Sequence, residues 1–435
     1  MNHPTLLLSP LQDGVPAAGG HVDVLVRLRA PVQAADAQPA MPKRLALVID
    51  RSGSMDGPPL TEALRCAQHI ATHLSPIDQL SLLVYDHQVD VLLPLQTPPA
   101  EAQVSAMLAR VLSGGSTDLH GGWLAGAQQL EGGSAQAVSR VILLSDGQAN
   151  HGLTDSAQIA AHCRDWLSRG VSTSTVGLGR GFNEQLMVEM ARAGGGQTYY
   201  GQTATDLFDG FDEELALLQA MCLHRIRLRL IAPPGVVIEM LSPIVADAQG
   251  HWPLDDLAWG SERWLALRLH LAPGKVGQLS DVLAATAEGL DAQGHVVQTS
   301  AGLLQLPALD AAELAQRPQD PGVHDRLQEV AFAQAADALQ AVARRGDAQA
   351  TQAALRELEA RFGEHPWLRA KIEHLRHLAE QDIEIMAKEV HYSSERMSRR
   401  LASLQESRYE ADETQSQEMP AFLRKKLSEG RGRSS

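Results

Sequence analysis

Basic excess, aromatic side chains, paired cysteines and long apolar runs are all scarce in this chain, and each scarcity excludes something. Against 52 acidic residues there are 37 lysines and arginines, a formal net charge of −15. A general nucleic-acid binder needs a basic face, so that class is set aside. Cys66, Cys163 and Cys222 are the whole cysteine complement. They lie far apart, with neither a CxxC pair nor the spacing of a disulfide framework, and read as small buried hydrophobes in a reducing compartment. No apolar run approaches the roughly 20 residues that span a bilayer. The opening MNHPTLLLSPLQDG has no basic region and only three consecutive leucines, unlike a signal peptide. The expectation is a cytoplasmic protein with no membrane and no nucleic-acid partner. Only 4% of the residues are aromatic, but the 44% hydrophobic fraction is ordinary for a globular protein. The 435 residues suffice for two or three domains with their own cores.

What is present divides by pattern. In residues 1–42, HVDVLVRLRAP alternates Val22, Val24, Val26 and Leu28 with Asp23, Leu25, Arg27 and Arg29, a strand with one buried face, followed by a Pro/Ala/Gln/Asp linker. Residues 43–221 alternate strands and helices. LALVID, QLSLLVYD, RVILLSDG and VSTSTVGLG are almost wholly apolar, as strands of a helix-covered parallel sheet must be, and a short QTYYG follows. HQVDVLLPL comes too soon after Tyr85 and Asp86 for a helical crossover and is predicted to return as an antiparallel edge strand.

In residues 222–307 helical signals vanish. HRIRLRLIAP and WLALRLHLAPG alternate strictly, which predicts an antiparallel sandwich that lacks a strand. The strand near Val22–Leu28 would supply it, so the α/β domain is expected to be inserted into the sandwich. Arg225, Arg227 and Arg229 read as one solvated strand face. Residues 308–408 read as helices, with breaks at Arg345–Gly346–Asp347 and at Gly363–Pro366. Residues 409–435 read as a disordered polar tail.

LALVIDRSGSMDG poses the chemical question. A buried strand surfaces in Asp50, and Ser52 and Ser54 follow at every second position among glycines. Ligands of a parallel α/β sheet gather at the carboxyl ends of its strands. Asp146 closes another strand, and SGGSTDLHGG offers Thr117 behind two glycines. Asp50, Ser52, Ser54, Thr117 and Asp146 thus converge from three loops. The set is all oxygen, which favours Mg²⁺ or Mn²⁺ over zinc. Only two members are charged, so the cation keeps an appetite for one more carboxylate.

DRSGSM, the threonine of GGST and the aspartate of LLSDG resemble the von Willebrand factor A (VWA) domain. The resemblance covers roughly residues 43–220 and implies a Rossmann-like α/β fold with a mostly parallel sheet. It also implies a metal-ion-dependent adhesion site in which Ser52, Ser54 and Thr117 ligate Mg²⁺ directly or through water, while Asp50 and Asp146 act largely through bridging waters. The flanking strands look like those of cytoplasmic bacterial VWA proteins. Some of those are labelled calcium-activated chloride channel homologues, a label not inherited by a chain without a membrane segment. The implied function is a non-enzymatic, metal-dependent protein-binding module whose partner presents an Asp or Glu. Proteins of this kind often work beside AAA+ ATPases, which makes such an ATPase a candidate partner.

Two alternatives stand beside this reading. One is a structural scaffold whose metal site only stabilises loops. The other is an aspartyl-phosphate hydrolase with Asp50 as nucleophile; such enzymes place a second aspartate two residues later, where this chain has Ser52, and need a lysine that is not obvious here. His69 and His73, at i and i+4, lack a third ligand and read as packing or solvent-exposed residues. In the tail, MPAFLRKK is similar to the C-terminal peptide of the bacterial tubulin-like division protein. It makes Phe422 and Leu423 a candidate docking motif for a second partner.

Overall fold

The computed structural model describes residues 3–31, 41–134, 136–146, 149–178, 183–201, 211, 214–398 and 401–403. The chain begins with β1 (Thr5–Pro10), β2 (Val15–Pro16) and β3 (Gly20–Arg29). It then enters an α/β domain: β4 (Lys43–Asp50), α1 (Pro58–His73), β5 (Gln79–Tyr85), β6 (Val89–Gln96), α2 (Glu101–Leu108), α3 (Leu119–Gln129), β7 (Val138–Ser145), α4 (Ser156–Ser168), β8 (Val171–Leu178), α5 (Glu184–Ala193) and β9 (Gly195–Gly201). The sheet order is β6-β5-β4-β7-β8-β9. All neighbours are parallel except β6, which returns antiparallel on β5 at the edge, as its short connection requires.

The apolar strands are explained by helices on both sides. Leu45, Leu47 and Ile49 of β4 share a core with Leu60, Ala63, Cys66 and Ile70 of α1. Ala46 and Val48 point the other way, into a core with Trp123 of α3, Cys163 of α4 and Leu186 of α5. Two glycines let α3 approach the sheet. A Cβ on Gly122 would lie 2.5 Å from Tyr85 Cγ, and one on Gly126 would lie 2.4 Å from Val48 Cγ2. That close seat brings the loop before α3, with Thr117, to the carboxyl ends of β4 and β5.

The chain leaves the α/β domain into β10 (Met221–Ile231), β11 (Val236–Met240), β12 (Trp252–Leu254), β13 (Leu257–Ala258), β14 (Ser261–Leu271), β15 (Leu279–Leu290) and β16 (Val296–Leu309). These form two sheets with the N-terminal strands, β1-β3-β14-β11 and β12-β10-β15-β16-β2. β3 pairs antiparallel with β14 over ten residues, from Gly20 opposite Leu271 to Arg29 opposite Glu262. Val24, Val26 and Leu28 join Ile226, Leu228, Leu267 and Leu283 in the sandwich core. The α/β domain is therefore inserted between β3 and β10. A last strand, β17 (Leu401–Ser403), adds to β14 and has no periodic signature in the sequence.

Helices Pro321–Ala343, Ala348–Phe362, Pro366–Gln381 and Ile383–Ser398 pack around Phe332, Phe362, Leu368 and Met386. Their breaks are capped as the sequence predicts: Gly346 takes φ 70°, and Asp347 accepts the Ala350 N–H at 2.9 Å. Arg344 pairs with Glu184 of α5 at 2.5 Å, tying this region to the α/β domain. No described helix is long and apolar enough to cross a membrane. The tail with Phe422 and Leu423 lies outside the described residues.

Two features depart from the sequence reading. Arg225 does not share an exposed face with Arg227 and Arg229. The register of β10 shifts between His224 and Arg227, Arg225 adopts φ 52°, and its guanidinium reaches the Gly170 carbonyl at 3.4 Å. The seam between α/β domain and sandwich also hides an ion cluster. Arg140 of β7, buried, donates to Glu214 (2.7 Å), Ser172 (2.9 Å) and Asp256. Glu214 also accepts from Ser174 and Tyr199, each at 2.8 Å. Burial opposes the Arg140 charge, but the two carboxylates outweigh it and push its pKa up.

Candidate metal centre

Asp50 ends β4 between two strands that also end in hydroxyls. Ser145 of β7 donates its Oγ to Asp50 Oδ2 at 2.5 Å, Tyr85 of β5 donates its hydroxyl to the same oxygen at 3.4 Å, and the Ser52 N–H donates to Oδ1 at 2.8 Å. Both carboxylate oxygens are engaged and the residue is 0% exposed. The chain then makes a single 3₁₀ turn, Gly53–Met55. Ser52 Oγ, just before the turn, lies 3.2 Å from Ser54 Oγ within it, and Ser54 Oγ donates to Asp146 Oδ1 at 2.8 Å. Asp50, Ser52, Ser54 and Asp146 are thus joined in one hydrogen-bonded chain. Ser54 is its exposed member.

The loop that carries Thr117 is tied to the turn after Asp50 through the backbone of Gly114 and Gly115. The Gly53 N–H donates to the Gly115 carbonyl at 3.1 Å, and the Gly114 N–H donates to the Arg51 carbonyl at 2.8 Å. Gly115 has φ 76°, and a Cβ there would lie 2.3 Å from His87 Nδ1, so glycine is required on both counts. Thr117 is buried; its N–H donates to Asn150 Oδ1 at 2.8 Å, and its carbonyl accepts from Asn150 and His151 N–H groups at 3.2 Å each. Asp118 caps α3 by accepting the Gly121 N–H at 2.9 Å.

Three positioning residues escape the sequence reading: Tyr85, Ser145 and Asn150. Ser145 directly precedes Asp146 and Tyr85 ends its own strand, so their nearness to the strand ends was the available signal. His69 and His73 lie against one another, with ring centroids 4.2 Å apart.

The electrostatics suit a cation. Burial raises the Asp50 pKa, against hydrogen bonds from Ser145, Ser52 and Tyr85 that lower it. Burial also lifts Asp146, to about 6; the Ser54 hydrogen bond opposes that rise and the Asp50 charge adds to it. Arg51, adjacent in sequence, is committed elsewhere, to Asp86 at 3.2 Å and Asp90 at 2.7 Å. Among the described residues, the two carboxylates thus share a corner with the hydroxyls of Ser52, Ser54, Ser145 and Tyr85, where only hydroxyl and amide donors offset the charge. An octahedral Mg²⁺ with oxygens at about 2.1 Å separates neighbouring ligands by about 3 Å. The 3.2 Å separation of the Ser52 and Ser54 hydroxyls fits that spacing. A nucleophilic role for Asp50 fits poorly, since both its oxygens are occupied and covered.

Comparison with known proteins concerns the domain that carries this corner. The sequence model of the von Willebrand factor type A domain matches residues 45–213. Protein sll0103 of Synechocystis is 26% identical over 296 residues, 63% of this chain and 69% of that one. Human inter-alpha-trypsin inhibitor heavy chain H4 is 28% identical over 165 residues, 36% of this chain but only 18% of that much longer one. Among solved structures, a von Willebrand factor type A protein from Catenulispora acidiphila superposes with a TM-score of 0.74 at 18% identity, covering 90% of this chain and 97% of that one. The ArnB paralog VWA2 from Sulfolobus acidocaldarius gives 0.62 at 17% identity, covering 91% and 99%. The last two likenesses extend over sandwich, insertion and helices together, and they concern the fold.

Proposed function

Because residues 45–213 form a von Willebrand factor type A domain, of a kind that typically serves as a non-enzymatic module and commonly binds protein partners, we propose that this chain is a metal-dependent protein-binding module. In this reading Ser52, Ser54 and Thr117 hold Mg²⁺ or Mn²⁺, and Asp50 and Asp146 stand behind them through water. The bound ion supplies a positive charge with one coordination position for a partner's Asp or Glu. Ser145, Tyr85 and the Ser52 N–H clamp Asp50, so the buried charge that anchors the site does not move when a partner arrives. Ser54, exposed at the rim, is the side chain a partner meets first. With hydroxyls as the nearest protein ligands, little of the ion's attraction for an anion is spent on the protein itself.

The observation that carries this reading is the chain Asp50–Ser52–Ser54–Asp146, buried at Asp50 and exposed at Ser54, whose hydrogen-bond partners among the described residues are hydroxyls and amides rather than a cationic side chain. Affinity capture in Mg²⁺ tests it. Partners bound by the wild type are expected to elute with EDTA and to be missing from the Asp50→Ala variant. If EDTA lowers the melting temperature but releases nothing, the metal only stabilises loops and the chain is a scaffold.

A further inference from the structure

His120 lies in the first turn of α3 and His162 stands midway along α4, and their imidazoles meet between the two helices. His120 Nε2 lies 2.9 Å from His162 Nδ1, with ring centroids 5.1 Å apart. The half-buried His120 ring also lies 5.7 Å from the Trp123 ring, whereas His162 is exposed. An N–H···N contact has room for one proton, so one ring nitrogen donates and the other presents a lone pair. Burial lowers the pKa of His120, the neighbouring His162 ring adds to that, and the Asp118 carboxylate opposes it. At neutral pH the His120 imidazole is therefore uncharged, the form that ligates metals.

We infer that His120 and His162 together bind a divalent ion of the nitrogen-preferring class, Zn²⁺, Ni²⁺ or Cu²⁺, at a place separate from the oxygen cluster around Asp50. Two imidazole nitrogens, each about 2.05 Å from a tetrahedral zinc, stand about 3.3 Å apart. The 2.9 Å seen here is short of that by only about 0.4 Å. The exposed His162 side chain can take up so small a difference. On binding, the donating ring moves its N–H to its other nitrogen, and both lone pairs turn to the ion.

Asp118 selects the charge of the occupant. Its Oδ1 accepts the Gly121 N–H at 2.9 Å, and its Oδ2 lies 3.8 Å from Nδ1 of a third histidine, His151. A carboxylate beside uncharged imidazoles favours a cation and repels an anion. The imidazole nitrogens then choose among cations, because Mg²⁺ keeps to oxygen and water while the later divalent metals accept nitrogen. Among the described residues, no group of three or more His, Cys, Asp or Glu side chains is placed to hold a metal. The pair is accordingly a two-ligand site whose other positions go to water, unlike the closed cage of a structural zinc. Since the two ligands belong to different helices, the ion clamps α4 to the start of α3, the helix that follows Thr117.

Calorimetric titration of the full chain with Zn²⁺, in saturating Mg²⁺, tests the site. The tightest Zn²⁺ binding is expected to be shared by the wild type and Asp50→Ala. It is expected to weaken at least tenfold in His162→Asn and in His120→Asn, with circular dichroism showing that each variant is folded. His69 and His73, stacked on α1, are present in all four proteins, so the difference between proteins is the readout. Zn²⁺ should also raise the melting temperature of the wild type more than that of His162→Asn. Equal Zn²⁺ affinity in the wild type and a folded His162→Asn overturns the inference. So does loss of the tight binding in Asp50→Ala, because the ion then sits in the oxygen cluster.

Discussion

Strand β7 joins two buried polar clusters that solve the same problem in opposite ways. Near its start, Arg140 is surrounded by Glu214, Asp256 and Ser172. At its end, Ser145 and Asp146 meet Asp50, Ser52 and Ser54. The first cluster carries its own cation and is complete. The second holds its carboxylates, among the described residues, against hydroxyls and a backbone amide, and burial lifts the pKa of both Asp50 and Asp146. The same fold neutralises buried acids at one end of the strand and not at the other, and on the function proposed here the second end is the one that takes an ion from outside.

The largest expected effect breaks the complete cluster. Glu214→Ala leaves Arg140 without its fully buried carboxylate partner in the seam, and removing one partner of a buried ion pair costs about 3–5 kcal/mol. Urea unfolding should show that loss, and added Mg²⁺ should not restore it. The incomplete cluster should respond the other way. Mg²⁺ at 100 times its dissociation constant should stabilise the wild type by about 2.7 kcal/mol. Thermal melts with and without EDTA read this directly, and Glu214→Ala should keep the full increment.

Smaller and of opposite sign is the effect of Asp146→Asn measured without metal. Removing an uncompensated carboxylate should leave the apo protein as stable or slightly more so, by an amount on the order of 1 kcal/mol or less, since this partly exposed group is screened by solvent. The same change should cut the Mg²⁺ increment. The smallest effect is a rate. Cys222 sits at the seam, 8% exposed, its thiol pushed up to about 12 by burial. At pH 8 a disulfide reagent should modify the native wild type and Asp50→Asn equally slowly, and Glu214→Ala faster.

The contrast between the clusters also shows what a sequence reveals. Strands β4 and β7 were legible because both their faces are buried, which turns alternation into a continuous apolar run. The insertion was legible because β3 and β14 alternate with the same period on either side of the α/β domain. The ligand candidates stood out because Asp50, Ser52 and Ser54 interrupt an apolar run at a strand end. Arg140 gave no such signal. Its carboxylate partners lie 74 and 116 residues away, and one charge at a strand start looks solvated. Ser145 and Tyr85 were hidden for a related reason: each belongs to a different strand, and only sheet order sets them beside Asp50. β17 is too short for any periodicity, and the turn of Arg225 depends on a bulge that alternation does not encode.

Calorimetric titration of the metal-free chain with Mg²⁺ is the most direct test of the site. Saturable one-to-one binding is expected for the wild type and for Glu214→Ala, and none for Asp50→Ala, with circular dichroism showing that each variant is folded. Equal Mg²⁺ binding by the wild type and a folded Asp50→Ala would contradict the account, because the ion would then be held somewhere else.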